Sequence, residues 1–171
     1  MPDLEKHDAV ALLKADHRAV ASLFESFRAV KTSAQKRTLA AQICLELTIH
    51  TKIEEDVFYP ACEGAVEAAL LKEAYVEHDG AKVLIAEIEA GEPGDEFFDA
   101  KVKVLSEMIE HHVKEEEARV DGMFAQALKA GLDMDGLGAR MATEKARLMT
   151  EYKANGVPTP TTPTFEATTL R

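Results

Sequence analysis

The sequence predicts an all-α protein: an up-down-up-down four-helix bundle with an additional C-terminal helix and an extended tail. Three observations carry that expectation. Apolar residues recur at steps of three and four through five segments. The six prolines and nine glycines fall mostly between those segments. Alternation of apolar and polar residues is scarce and β-branched residues do not cluster, so no strand is expected.

The first helix is expected from about Asp8 to Val30, with a stripe of Val10, Leu13, His17, Val20, Phe24 and Phe27. Thr32-Ser33 offers an N-cap for the second, which runs to about Tyr59, where Pro60 marks a break or kink. Its stripe is Ile43, Leu47, His50, Ile53 with Glu54, Val57 and Phe58. A third stretch covers residues 61–90, split near Gly64, with Leu71, Ala74, Tyr75, His78, Ala81, Ile85 and Ile88 on one face. After the loop Gly91-Glu92-Pro93-Gly94, a fourth helix is expected from about Asp95 to Ala130, disturbed near Gly122. Leu105, Met108, Ile109, His112, Glu116 and Val120 form its apolar face. A fifth helix spans Met134 to about Ala154. The domain reading is thus a bundle over residues 1–130, an added helix over 131–155 and a flexible Pro/Thr-rich tail over 156–171, dispensable to the core.

The bulk properties exclude several function classes. With 171 residues and 46% hydrophobic content the chain can bury one sizeable core. Neither a transmembrane run nor a signal-peptide core is visible, so the expected location is the cytoplasm. A net charge of −11 disfavours nucleic-acid and anionic-membrane partners. The two cysteines, Cys44 and Cys62, form no C-x-x-C motif and read as free, structural thiols of a reducing compartment.

One pattern occurs twice. His17 is followed after 33 residues by His50, with Glu54 four further on; His78 is followed after 34 by His112, with Glu116 four further on. Residues i and i+4 share a helix face. Leu23, Phe24 and Phe27 repeat as Leu84, Ile85 and Ile88 at the same offsets. Two helix pairs packed face to face bring four imidazoles and two carboxylates to one depth in the core. A carboxylate buried there without a partner or cation costs several kcal/mol. Imidazole with carboxylate suits iron, manganese or zinc better than magnesium or calcium. Two histidines per metal, with both glutamates shared, leave positions for a bridging oxygen and an external small ligand.

Register separates the ligands from their neighbours. His111 with Glu115 also has i, i+4 spacing, but that register turns Glu107, Lys114 and Arg119 inward. Glu116 is the expected ligand of the run Glu115-Glu116-Glu117, with Glu117 its rival. His7 lies outside the pattern and is expected at the surface. None of the six histidines has Glu at −3, which argues against a ferritin-like di-iron site. No His-Glu-x-x-His and no glycine-rich phosphate loop occurs.

His50-Thr51-Lys52-Ile53-Glu54-Glu55 and His111-His112-Val113-Lys114-Glu115-Glu116-Glu117 resemble the two signatures of the hemerythrin HHE cation-binding family. His17 and Glu77-His78 complete the set, and the resemblance covers about residues 8–130. It implies a hemerythrin-like bundle with two iron ions, oxo- or hydroxo-bridged, with manganese or zinc as alternatives, and a diatomic or peroxide ligand. One departure stands out: oxygen-carrying hemerythrins place a further histidine four residues before the one matching His78, where this chain has Ala74. That makes Tyr75 and Lys82, at −3 and +4 from His78, candidates to approach the metal, with Glu117 nearby. Three functions are compatible with these residues: binding or sensing of oxygen, nitric oxide or iron; a di-iron oxidoreductase acting on peroxide or a related small oxidant; and a structural bundle without metal. Whether the chain is an enzyme, and any protein partner, stay open.

Overall fold

The computed structural model describes residues 8–165. The chain is all-α, with no β-strand among the described residues. Four long helices form the bundle: α1 (Ala9–Ala29), α2 (Ser33–Ile53), α4 (Ala68–Ala90) and α5 (Phe98–Glu117). The short helices α3 (Tyr59–Cys62) and α6 (Met123–Lys129) and the last helix α7 (Met134–Asn155) close one end and one side. Side-chain caps start three of these helices. Asp8 accepts from Ala11 N–H at 2.8 Å, Thr32 from Gln35 N–H at 3.2 Å and Asp133 from Gly136 N–H at 3.0 Å. The expectation for His7 lies outside the described residues.

Two hydrophobic clusters fill the bundle. One joins Leu13, Ile49, Ile53, Phe58 and Leu71 with Phe124 of α6 and Met141 and Leu148 of α7. The other joins Val20, Phe24, Leu47, Ile85, Val102 and Leu105 at the opposite end. His17, His50, His78 and His112 fall between them, each on a helix that feeds both clusters or ends beside them. A rigid apolar layer above and below therefore fixes the polar layer. Both cysteines are buried, free and outside that layer.

Three expectations need correction. Of the break or kink expected at Pro60, the second helix shows no break. It passes through a π-helical turn, Glu54–Phe58, into α3. Proline has no N–H to continue the α ladder, and here Tyr59 N–H bonds Glu54 O one residue further back than α geometry requires. The fourth helix does not run to Ala130: it stops at Glu117, and Val120, expected on the core face, is 88% exposed. The turn that follows closes tightly at Gly122, where a Cβ would lie 2.4 Å from Ala118 O. The chain reverses there, and α6 returns Phe124 to the core. Finally, the segment after α7 follows a defined path over residues 156–165. It borders a cavity of about 520 Å3 floored by α2 and α4, and Thr164 anchors it to buried Asp79. Residues 166–171 lie outside the described part.

Candidate metal centre

The structure brings His17, His50, Glu54, His78, His112 and Glu116 together, all of them buried. Each glutamate faces two histidines from opposite halves of the sequence. Glu54 Oε1 lies 3.3 Å from His50 Nε2, and its Oε2 lies 3.1 Å from His78 Nε2. Glu116 Oε2 lies 3.2 Å from His17 Nε2, and its Oε1 lies 3.3 Å from His112 Nε2. Two sets of ligand atoms result: His17, His50 and one oxygen of each glutamate, then His78, His112 and the other two oxygens. Among the described residues these compact sets include two groups whose donor atoms lie within 4.8 Å of one another, sharing Glu54.

The first set fits a cation on a direct observation. His17 Nε2, His50 Nε2, Glu54 Oε1 and Glu116 Oε2 are buried and have no hydrogen-bond partner. They approach within 3.3 Å yet are not aligned donor to acceptor, the geometry of atoms aimed at a common point. Orphaned buried polar atoms are rare in folded proteins, and a cation satisfies all four.

The second set surrounds a residue the sequence reading missed. Tyr59 Oη lies 3.0 Å from His78 Nε2 and 3.3 Å from His112 Nε2. It is 3.3 Å from Glu54 Oε2 and 2.8 Å from Glu116 Oε1. The phenol oxygen thus stands at the convergence point of these four atoms. A regular helix turns Tyr59, five residues after Glu54, well away from the Glu54 face; the wide π turn brings it back. π-bulges recur at functional sites, and Pro60 in an apolar helix was the available signal.

The other candidates resolve differently. Tyr75 is half-buried and packs edge-on against the Tyr59 ring at 5.2 Å, away from the ligand atoms. Lys82 reaches the centre only indirectly, donating to Glu55 and Asp79. Glu117 accepts from His17 Nδ1 at 2.7 Å. It belongs to a complete ring of such partners. Asp16 serves His50 Nδ1 at 3.3 Å, Glu55 serves His78 Nδ1 at 3.0 Å and Glu77 serves His112 Nδ1 at 2.5 Å. The ring keeps the two-fold repeat: residues one before His17 and His78 serve the distal histidine of their own half, and residues one after Glu54 and Glu116 serve the other half. A carboxylate on Nδ1–H leaves the Nε2 lone pair for a cation and orients the ring.

Electrostatics in the cation-free protein report the same design. Burial alone lowers the His50 imidazole, but Glu54 and Asp16 outweigh it and raise the group from 6.5 to about 10. His112 lies well above its ordinary value for the same reason, burial being outweighed by Glu116 and Glu77. Burial raises the Glu116 carboxyl, and His112 and His17 more than reverse that, holding it well below the usual range. Protons on these histidines supply positive charge between two buried carboxylates. Burial, with Glu116 and Glu54 beside it, pushes the Tyr59 phenol well above its usual value; a bound cation inverts that balance.

The profile of the hemerythrin HHE cation-binding domain family matches residues 8–124. The chain belongs to that family. Its α7 and C-terminal segment lie outside the matched region. A hemerythrin HHE cation-binding domain-containing protein from Mycobacterium kansasii has the same fold, with a TM-score of 0.74 at 20% identity over 88% of this chain and 94% of that one. A DNA nickase from Nostoc sp. is 28% identical over 107 residues, or 63% of this chain. This chain spans only 30% of that protein's length. No helix among the described residues is long and apolar enough to cross a membrane.

Proposed function

We propose that this member of a cation-binding family is a non-haem di-iron protein that binds or senses a small oxidant such as oxygen or nitric oxide. The observation that carries the reading is the pairing of eight donor atoms into two N2O2 sets that share both carboxylates. Two irons so held supply redox chemistry and exchangeable coordination positions. Around them the chain's own residues set the conditions. Val20, Leu47, Ile109 and Val113 line an interior cavity of about 10 Å3 beside the four histidines. A space of that size takes about one water-sized group, which argues against an organic substrate. The nicking named for the Nostoc relative is not part of this reading, because a net charge of −11 repels a phosphate backbone.

Tyr59 favours a second reading, a di-iron oxidoreductase acting on peroxide. Its phenol takes the place in the second set for which the resemblance supplies no fifth histidine, and it holds a proton 2.8 Å from Glu116. An oxidisable, protic group there suits electron and proton exchange better than reversible carriage. The separating experiment adds hydrogen peroxide to the iron-loaded protein and follows oxygen release. Many turnovers per centre, abolished in His112→Ala, support the oxidoreductase. A spectral change that saturates at one ligand per centre and reverses on removal supports binding or sensing.

A further inference from the structure

Two relays connect the region outside the family match to the metal centre. On α7, Lys145 donates to Asp16 Oδ1, while Asp16 Oδ2 accepts from His50 Nδ1 at 3.3 Å. In the segment after α7, Thr164 donates through its N–H at 2.8 Å and its Oγ1 at 2.7 Å to Asp79 Oδ2. Asp79 Oδ1 accepts from Lys82 Nζ at 3.0 Å, and Lys82 also donates to Glu55 Oε2 at 3.0 Å. Glu55 Oε1 then accepts from His78 Nδ1 at 3.0 Å. Asp79 is 1% exposed, so Thr164 replaces water as its partner. His50 belongs to the first ligand set and His78 to the second. Among the described residues no lysine pairs with Glu117 or Glu77, the partners of His17 and His112.

We propose that Lys145 and Thr164 are positioning residues through which the C-terminal region sets the ligand strength of one histidine in each metal set, Lys145 through His50 and Thr164 through His78. A carboxylate on Nδ1 makes an imidazole a stronger ligand, and such outer partners change metal affinity 10–100-fold when removed. An ammonium on the same carboxylate holds it in line with Nδ1, and without that hold the carboxylate supports the imidazole less. The helix and segment therefore act on the two metals separately, one relay each, and are not only a cover for the bundle's side. Displacement of the segment from Asp79 alters the second set and leaves the first alone.

The inference rests on the di-iron reading. The test is Mössbauer spectroscopy of the full-length iron-loaded protein, with iron content measured on the same samples. Lys145→Met is expected to change the quadrupole splitting of one of two iron signals and to weaken that site about tenfold; Lys145→Arg restores it. Thr164→Pro, which removes both donors, is expected to change the other signal. Should that variant fail to fold, Thr164→Val must give a smaller shift in that same signal. Two irons per chain with unchanged spectra in Lys145→Met and Thr164→Val, or both signals shifted alike by each variant, overturn the proposal and leave the di-iron reading intact. A wild type that takes up no iron overturns the di-iron reading itself, and this proposal with it.

Discussion

Tyr59 Oη donates to Glu116 Oε1 across 2.8 Å, although 57 residues separate the two. The contact ties the π turn of the first half to the His-x3-Glu helix of the second, at the point where the second ligand set converges. It makes Tyr59 part of the centre in a way that no spacing rule for regular helices anticipates.

Removing that phenol has two expected consequences. In the cation-free protein, Tyr59→Phe strips His78 Nε2 and Glu116 Oε1 of their shared partner and costs about 1–3 kcal/mol, measured by chemical denaturation with chelator present. In the iron-loaded protein, a visible phenolate-to-iron absorption band present in the wild type is expected to vanish in Tyr59→Phe. Absence of that band in air-oxidised, ferric wild type would show that the phenol does not bind the metal.

Glu54→Gln separates stability from cation binding. Glu54 is 0% exposed and faces a second buried carboxylate, Glu116. His50 and His78 outweigh burial and that repulsion and hold the carboxyl below its usual range, so neutralising it is expected to lower the melting temperature of the cation-free protein. Both ligand sets lose a charged oxygen, so neither cation is retained. Wild type at a hundredfold excess over Kd should gain roughly 5–10 °C, and the variant nothing. Equal gains in the two proteins would remove Glu54 from the centre.

The pH dependence of the cation-free protein follows from His50. Its folded-state value is raised from 6.5 to about 10, so the stability it contributes is fully present below pH 6.5 and is lost as pH rises towards 10. Glu54 and Glu116, lowered from 4.5, contribute stability present above that value and lost in acid. Maximum stability of the cation-free protein is therefore expected between about pH 4.5 and 6.5. The cation replaces the protons on Nε2, so the difference in melting temperature between loaded and cation-free protein should widen from pH 6.5 to 10. A difference independent of pH across that window would contradict the assignment of protons to these histidines.

Much of the fold was legible because periodicity records burial. The stripes Val10-Leu13-His17-Val20 and Leu47-His50-Ile53-Glu54 are buried as expected. The six charged or imidazole groups stood out as polar residues at apolar positions. What regular periodicity could not record was irregular backbone. The π turn re-aims Tyr59, and the reversal at Gly122 ends α5 early and exposes Val120. The carboxylates on Nδ1 were hidden for a different reason. Asp16, Glu55 and Glu77 adjoin ligands in sequence and resemble ordinary surface charge, and only packing between helices aims them at histidines. The C-terminal segment read as dispensable because its composition is Pro/Thr-rich; the hydrogen bonds of Thr164 to buried Asp79 are invisible in composition.

The Gly122 reversal offers a test independent of the cation. A Cβ at that position meets Ala118 O at 2.4 Å and Glu116 O at 2.8 Å, so Gly122→Ala must shift the backbone beside a ligand. A loss of about 1–3 kcal/mol is expected, together with displacement of Phe124 from its stack on the His17 ring, now 5.9 Å centroid to centroid. Nuclear magnetic resonance of the His17 ring protons reports the second effect.

The central claim is that the two N2O2 sets hold two irons. The most direct measurement is metal content per chain by mass spectrometry after anaerobic iron loading and desalting, with His112→Ala and His50→Ala alongside. About two irons are expected in the wild type, with each variant losing affinity first at its own set. Retention of no iron, or zinc alone, by a folded wild type would contradict it and return the six residues to a structural role in the bundle.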